Sequence, residues 1–589
     1  MDGARTIAER LDRAAPFEPD AHADADAPQP QSGAGAGSGA GNGRTSDSFP
    51  ELDDAVVRRC AGLDQNDTDN GQRLMAHFGG EWLHVRDIGN HGWVGTHWDM
   101  EAGEDLVIRL AQEAARRIKK EVFHLGLTED EKLHVEQAEP FRKIDFKDQT
   151  AEQKIAIQTA DELLKKVANM RAGRRKFAVS SGNYERTMKM IKAATPHCTF
   201  AVEDMDGDAH LFNVQNGTLK FTRTPTKDCP DHAVLDRFTG HVELVPHNRD
   251  HKITKLAPAI YDPDAQAPKF MAALERFQPE SDMRTFLQVY FGYCMLGHAG
   301  EQVFLFNYGH GANFKSTMVE TLARLFGDYA RSVAPESITG QNQRRGDQAS
   351  PDIARLVDAR FVYVEELPRG EQIKENLVKA LTGGGKMTAR HLNKGFFEFE
   401  PVFKAVMTGN DMPNITGSDY GIWRRVLIAK WDVIIPDAER RPMAEVLAEF
   451  DAERSGILNW LVDGALMYLG SGLKPFVPGK VTADTADYQE EMDQLGNFVR
   501  ACVVPQAGNN VRARAVYDAY VAWCKANSIK AWQETAFGKG MAKRDIKKHR
   551  SNYVYYMDVA LVDVPDGDAA SGADPDADRW VPNYGDDDG

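Results

Sequence analysis

The stretch VFLFNYGHGANFKSTMVETLARLF, residues 303–326, decides the fold. An apolar strand, VFLFNY, runs into the turn GHGANF, and STMVETLARLF then repeats its apolar residues at helical spacing. Strand, glycine-rich turn and helix in that order are the setting of a phosphate-binding loop. Backbone N–H groups of the turn, with the positive end of the helix, cradle phosphoryl oxygens. Gly309, Gly311, Asn313, Lys315, Ser316 and Thr317 are the expected nucleotide-binding residues, with Lys315 reaching the phosphates as a point charge and Ser316 holding Mg2+. One residue departs from the GxxxxGK[ST] pattern. Phe314 stands where glycine is usual, and a side chain held at positive φ costs roughly 1–2 kcal/mol.

Three later stretches extend the pattern. RFVYVEELPRG (360–370) is an apolar strand ending in Glu365 and Glu366, an acidic pair suited to organising a Mg2+ shell, with Glu365 the metal-side candidate, and to polarising water. FKAVMTGNDMP (403–413) is a third buried strand and ends in Asn410, a neutral amide able to hydrogen-bond an attacking water and a terminal phosphate. GSDYGIWRRVLIAKW (417–431) places Arg424 and Arg425 ahead of another apolar strand. An arginine reaching a neighbouring subunit's nucleotide can neutralise transition-state charge.

The rest of the 589 residues is consistent with two to four domains. With 42% hydrophobic and 27% charged residues, a fibrous or wholly disordered chain is excluded. No apolar run approaches the ~18 residues of a membrane span, and the N-terminus lacks a secretory apolar region, so a cytoplasmic protein with no membrane partner is expected. Cys60, Cys198, Cys229, Cys294, Cys502 and Cys524 lie far apart with no zinc spacing and read as reduced thiols. The net charge of −17 is concentrated at the ends: residues 1–55 carry −7 and 563–589 carry −8, leaving the body near neutral. Both ends are rich in Ala, Asp, Gly and Pro and read as disordered acidic tails.

Between the tails, residues 56–255 read as a mixed α+β region. DGDAHLFNVQNGTLKFTR (206–223) within it reads as a hairpin turning at Asn-Gly. Residues 256–300 read as a helical collar, 301–435 as the α/β core, 436–483 as a helical lid and linker, and 484–562 as a separate module of helix, turn, helix and a two-stranded wing. Residues 536–550 of that module carry six Lys/Arg and one Asp. Lys539, Lys543, Arg544, Lys547, Lys548 and Arg550 are its duplex-DNA candidates.

The order GHGANFKST, FVYVEE, LTGGGKMTARHLNKG and VMTGNDMPNITGSDYGIWRRV resembles superfamily 3 helicases. More closely it is similar to the helicase portion of the phage and plasmid primase–helicases of satellite-phage type, relatives of the poxvirus primase-helicases. DNxxRL (Asp69 to Leu74), the Trp93/Trp98 region, LFNVQNGTL (211–219) and ITKLAPAIYDPDAQAPKF (253–270) look like that family's pre-helicase region. The resemblance implies an AAA+-like P-loop ATPase core with a C-terminal winged helix. It further implies a homo-oligomeric ring, usually a hexamer, that uses ATP and Mg2+ to move 3′→5′ on single-stranded and forked DNA during replication.

Carried over residue by residue, Lys315 and Ser316 match the phosphate-loop pair, Glu365 and Glu366 the acidic pair, and Asn410 the sensor. Arg425 matches the trans-acting arginine, with Arg424 beside it. GKMTARHLNKG (385–395) matches the pore hairpin, so Lys386, Arg390, His391 and Lys394 are DNA-contact candidates, cations suited to sequence-tolerant binding of phosphates. Gly385 stands where many relatives have an acidic residue. The N-terminal primase domain is expected to be absent. Two alternatives stay open: an origin- or DNA-binding ring with weak turnover, and residual primase chemistry at EDMDGD (203–208).

Overall fold

The computed structural model describes residues 49–226, 237–340, 351–367, 370–390, 396–415, 420–544 and 546–562. Both acidic tails lie largely outside them, as does Cys229; the other five cysteines are free and buried.

In the pre-helicase region, α1 (Asp67–Phe78) is capped by Asn66, whose side chain accepts the Asp69 N–H at 2.8 Å. The DNxxRL residues build this entry. Asp69 accepts the Asp64 N–H at 2.7 Å, and Asn70 donates to Ser181 Oγ at 3.0 Å. Arg73 is fully buried and meets the Glu121 carboxylate at 2.8 Å. Strands β1 (Trp82–Val85) and β2 (Gly89–Trp93) pair antiparallel against α2 (Met100–Arg117). The long α3 (Ala151–Ser181) brings Arg174 onto the same Glu121 carboxylate. Both guanidiniums also donate to the carbonyl of Leu63 at 3.0 Å, so one buried acid pins α3 to the loop before α1. Removing one member of such a buried set costs ~3–5 kcal/mol.

Strands β3 (Leu211–Val214), β4 (Gly217–Pro225) and β5 (Phe238–Val245) form an antiparallel sheet. The expected hairpin is present, but its two-residue turn is Gln215–Asn216, one position earlier than an Asn-Gly turn. Gly217 instead opens β4, where a Cβ would sit 2.7 Å from both Leu244 Cδ1 and the Val245 carbonyl. The glycine serves the approach of β5 rather than the turn. In EDMDGD, Asp204 accepts the Ala201 N–H, Asp206 the Thr254 N–H and Asp208 the His210 N–H, so its three aspartates each accept from backbone.

Helices α4 (Pro268–Phe277) and α5 (Ser281–Tyr293) lead into the core. There β6 (Phe304–Tyr308), α6 (Lys315–Phe326), β7 (Ala330–Ser332), β8 (Phe361–Val364), the hairpin β9 (Met387–Arg390) and β10 (Phe396–Phe399), β11 (Lys404–Gly409) and β12 (Val426–Lys430) follow in turn. The five core strands lie in the order β12-β6-β11-β8-β7, all parallel. Leu305, Phe361, Val406 and Ala429 face one core; Phe304, Val362, Met407 and Ile428 face the other. Burial on both faces explains the near-continuous apolar strands. The residues read as collar and lid contribute to the first of these cores. Phe286 and Tyr290 of α5 pack there beside Phe450 of α7 (Met443–Ala452) and Leu461 of α8 (Arg454–Ser471).

The expected boundary at 484 moves later. Asp484 and Tyr488 belong to α9 (Gly479–Met492), and Asp484 accepts a hydrogen bond from Lys430 at 2.6 Å while Tyr488 packs with Ile428 in the second core. The C-terminal module has its own core from Leu495 onward. It runs α10 (Gln494–Cys502), β13 (Val503–Arg512), α11 (Ala513–Ala526), α12 (Glu534–Met541), β14 (Lys548–Arg550) and β15 (Val554–Leu561). Its antiparallel sheet has the order β13-β15-β14, so the two-stranded wing gains a third strand from β13. Among the described residues no helix is long and apolar enough to cross a membrane.

Candidate functional site

The site lies at the carboxyl ends of β6, β8 and β11, where an open parallel sheet binds ligands. The loop after β6 turns sharply. A Cβ at Gly309 would sit 2.4 Å from the Trp431 carbonyl, so only glycine fits there. Asn313 is buried and donates to that same carbonyl at 2.7 Å, and the Ile435 N–H donates to the Ala312 carbonyl at 2.7 Å. The segment after β12 thus supports the loop from below.

Phe314 has φ +72°, the left-handed region that a glycine normally fills. Its ring is turned into the core. It stacks on Phe277 with centroids 5.2 Å apart and an interplanar angle of 16°, and meets Phe450 edge-on at 5.9 Å. Phe270 and Trp431 complete the nest at 6.5 and 6.2 Å. Ring burial of this size is worth several kcal/mol, enough to offset the backbone strain of ~1–2 kcal/mol. The ring therefore does not fill the loop.

Lys315 opens α6 and is only 4% exposed. Its ammonium donates to the Gly309 carbonyl at 2.8 Å, Asn313 Oδ1 at 3.2 Å and Asn410 Oδ1 at 2.8 Å. Burial pushes its pKa below the ordinary lysine range, and the Glu366 carboxylate opposes the shift. Ser316 is exposed on the first turn of α6 and Thr317 half-buried behind it. Asn410, just past β11, also accepts the Gly311 N–H at 3.3 Å.

Glu365 and Glu366 follow β8 and are both exposed. They diverge. Glu366 has φ +52° and is the carboxylate felt by Lys315. Burial, then the charges of Glu320 and Glu366, raise the pKa of Glu365. Glu320, on α6, is an acidic neighbour that the motif pattern does not include; its place one helical turn beyond Ser316 is the only sequence signal for it. The aromatic nest around Phe314 has no signal except the missing glycine.

The arginine pair sits at the other end of the sheet. Val426 pairs with Phe304, so Arg424 and Arg425 precede β12 far from this chain's own loop. Arg425, the expected reaching residue, is 8% exposed; its Nε donates to Thr382 Oγ1 at 3.2 Å and its guanidinium to the Gly421 carbonyl. Arg424 is the exposed member and donates to Gln302 Oε1 at 2.8 Å. The β9–β10 hairpin is antiparallel, pairing Arg390 with Phe396. Lys386 is exposed at its foot, and the Arg390 guanidinium lies 5.1 Å from the Phe396 ring centre. His391 and Lys394 lie outside the described residues. A Cβ on Gly385 would meet nothing within 4 Å, so packing does not impose that glycine.

In the C-terminal module Lys539 on α12, with Lys543 and Lys547 beyond it, are exposed. Arg544 is engaged within the protein. Its guanidinium grips the Asp493 carboxylate, Oδ2 at 2.6 Å, and the Gly540 carbonyl at 3.2 Å, so it joins the module to the end of α9. Lys548 donates to the Gly538 carbonyl at 3.0 Å.

Residues 71–279 match the family described as D5 N terminal like, and residues 490–563 match the family described as Poxvirus D5 protein-like. Two separate stretches of the chain thus match D5-type families. The loop after β6 lies between them. Among curated proteins, the chain is 26% identical over 372 residues to a protein of Acanthamoeba polyphaga mimivirus named as a helicase, covering 60% of this chain and 36% of that protein. It is 25% identical over 345 residues to a protein of African swine fever virus named as a primase, covering 55% and 34%, and 26% identical over 274 residues to a Frog virus 3 protein named as a helicase, covering 44% and 28%. The chain thus spans about a third of the length of the relatives it matches. A solved structure of the NrS-1 C terminal region is 10% identical, with a TM-score of 0.30 over 56% of this chain and 94% of that one, a likeness too slight to define a shared fold.

Proposed function

We propose that this D5-type chain is an ATP-driven DNA helicase or translocase of the superfamily 3 kind, serving replication of a phage, plasmid or viral genome. The observation that carries the reading is the meeting of Lys315, Asn410 and Glu366 at the carboxyl edge of the parallel sheet. A desolvated ammonium beside loop amides is built to receive phosphoryl oxygens, and interactions there are stronger than in water. The Ser316 hydroxyl and Glu365 would hold Mg2+, which supplies charge neutralisation at those oxygens. Glu366 would orient and polarise water.

Arg424, exposed at the opposite end of the sheet, suits contact with a neighbouring copy's nucleotide better than the buried Arg425 does. That division of labour favours a ring of like subunits, a hexamer in this reading. Lys386 and Arg390 on the hairpin would track a single strand, and Lys539, Lys543 and Lys547 would meet duplex phosphates through a module with winged-helix order. A passive DNA-holding ring would follow from a blocked loop, but the Phe314 ring is turned away from it. Steady-state ATP hydrolysis with and without single-stranded DNA tests the proposal. DNA-stimulated turnover that disappears in Lys315→Ala is expected; a folded protein with no stimulated turnover overturns it.

A further inference from the structure

Asn410 holds two loop donors at once. Lys315 Nζ lies 2.8 Å from its Oδ1 and the Gly311 N–H nitrogen 3.3 Å. An ammonium and a backbone N–H can only donate, so the atom facing them is the amide oxygen and not the nitrogen. Asn410 follows the strand that ends at Gly409 and lies 95 positions after Lys315 in the chain, and of the three acceptors on Lys315 it alone comes from outside the loop. Asn410 is exposed, so its side chain can swing clear without disturbing a core.

We infer that Asn410 is a built-in competitor of the nucleotide phosphates, one that makes the loop hold a nucleoside diphosphate less tightly than a triphosphate. The inference rests on the nucleotide reading of this loop. A phosphoryl group that reaches Lys315 and the Gly311 N–H must first displace the amide oxygen. With a triphosphate, the freed carboxamide turns its Nδ2–H to the terminal phosphate and recovers a charge-assisted hydrogen bond. With a diphosphate there is nothing for it to donate to, and it returns to the lysine as the product leaves. Asn410 thus acts on product release as well as on the bound triphosphate.

Calorimetric titration of the full chain with MgADP and with the Mg2+ complex of a slowly hydrolysed ATP analogue tests this, with wild type, Asn410→Ala and Asn410→Asp side by side. Asn410→Ala removes the competitor and binds MgADP about 5-fold tighter or more, without a matching gain for the triphosphate, so the preference for triphosphate shrinks. Asn410→Asp gives the lysine an anionic partner and binds MgADP about 10-fold weaker than wild type. A general structural role for Asn410 would not order the three variants Asp, Asn, Ala in rising MgADP affinity. If wild type binds both nucleotides and Asn410→Ala binds MgADP no tighter, this inference falls and the nucleotide reading stands. If wild type binds neither, both fall.

Discussion

Two lysines are buried at opposite ends of one sheet. Lys315 follows the carboxyl end of β6 and is 4% exposed; Lys404 opens β11 at the amino end and is 1% exposed. Burial drives both ammoniums below the ordinary lysine range, Lys404 down to about 7. Their partners differ. Lys404 donates to the carbonyls of Leu296, His298 at 3.2 Å and Val402 at 3.1 Å, and lies 4.5 Å from the Tyr293 ring centre. Those carbonyls belong to the backbone after α5 and before β11, and cannot withdraw while the chain is folded. Lys315 shares its charge with a side chain from another strand that can leave. Burial of a cation does not by itself mark chemistry; a displaceable partner does.

The widest test of that contrast exchanges outcomes. Lys315→Ala should remove at least about 100-fold of the ATP hydrolysis rate while shifting the thermal midpoint little, because the Asn410 amide among its acceptors is exposed. Lys404→Met should do the reverse. It strands three carbonyls, that of Leu296 buried, and costs about 3 kcal/mol of stability, read as a lowered thermal midpoint, with nucleotide affinity retained while the protein is folded. Equal losses of activity and stability in both variants would break the comparison.

A smaller effect concerns the loop's mooring. Phe314→Ala loses ring burial and keeps the left-handed strain, so about 3 kcal/mol should be lost. Phe314→Gly loses the ring but relieves the strain, and should melt above the alanine variant by the equivalent of about 1 kcal/mol. The smallest effect is acidic. Asp358, before β8 at φ +56°, has its carboxyl raised by burial first and then by Asp206, against Lys255 and Arg360. It borders a cavity of about 360 Å³ shared with His97, Trp98, Asp328 and Arg331. A folded-state pKa above the unfolded value of ~4 means that the native state binds more protons above that pH, so stability falls as pH rises through the window. Asp358→Asn should therefore gain about 1 kcal/mol at pH 8 and almost nothing near pH 4, measured by urea unfolding at the two pH values.

The strands were legible because a sheet covered on both faces writes itself as unbroken apolar runs: 304–308, 361–364, 404–409 and 426–430 each stand out. Lys315 and Asn410 were legible for the same reason, since each ends or follows such a run. What pairs with what was not. The choice between Arg424 and Arg425 depends on Thr382 and Gly421, contacts that no local pattern announces. Arg544 reads as one more cation in a basic stretch until Asp493 comes to it from the end of α9. The Gly217 turn reading failed because the glycine answers to β5, more than 20 residues away, rather than to its own hairpin.

The aromatic seat of Phe314 ties a short motif to a long stretch of chain. Phe277 lies ahead of β6, while Trp431 and Phe450 come after the last core strand. A nascent chain or fragment stopping short of residue 450 would contain every letter of GHGANFKST and still lack the surfaces that hold its backbone in shape. The shape of this loop is in that sense a late product of assembly, completed only when helices that precede and follow the core strands in the chain close on one ring.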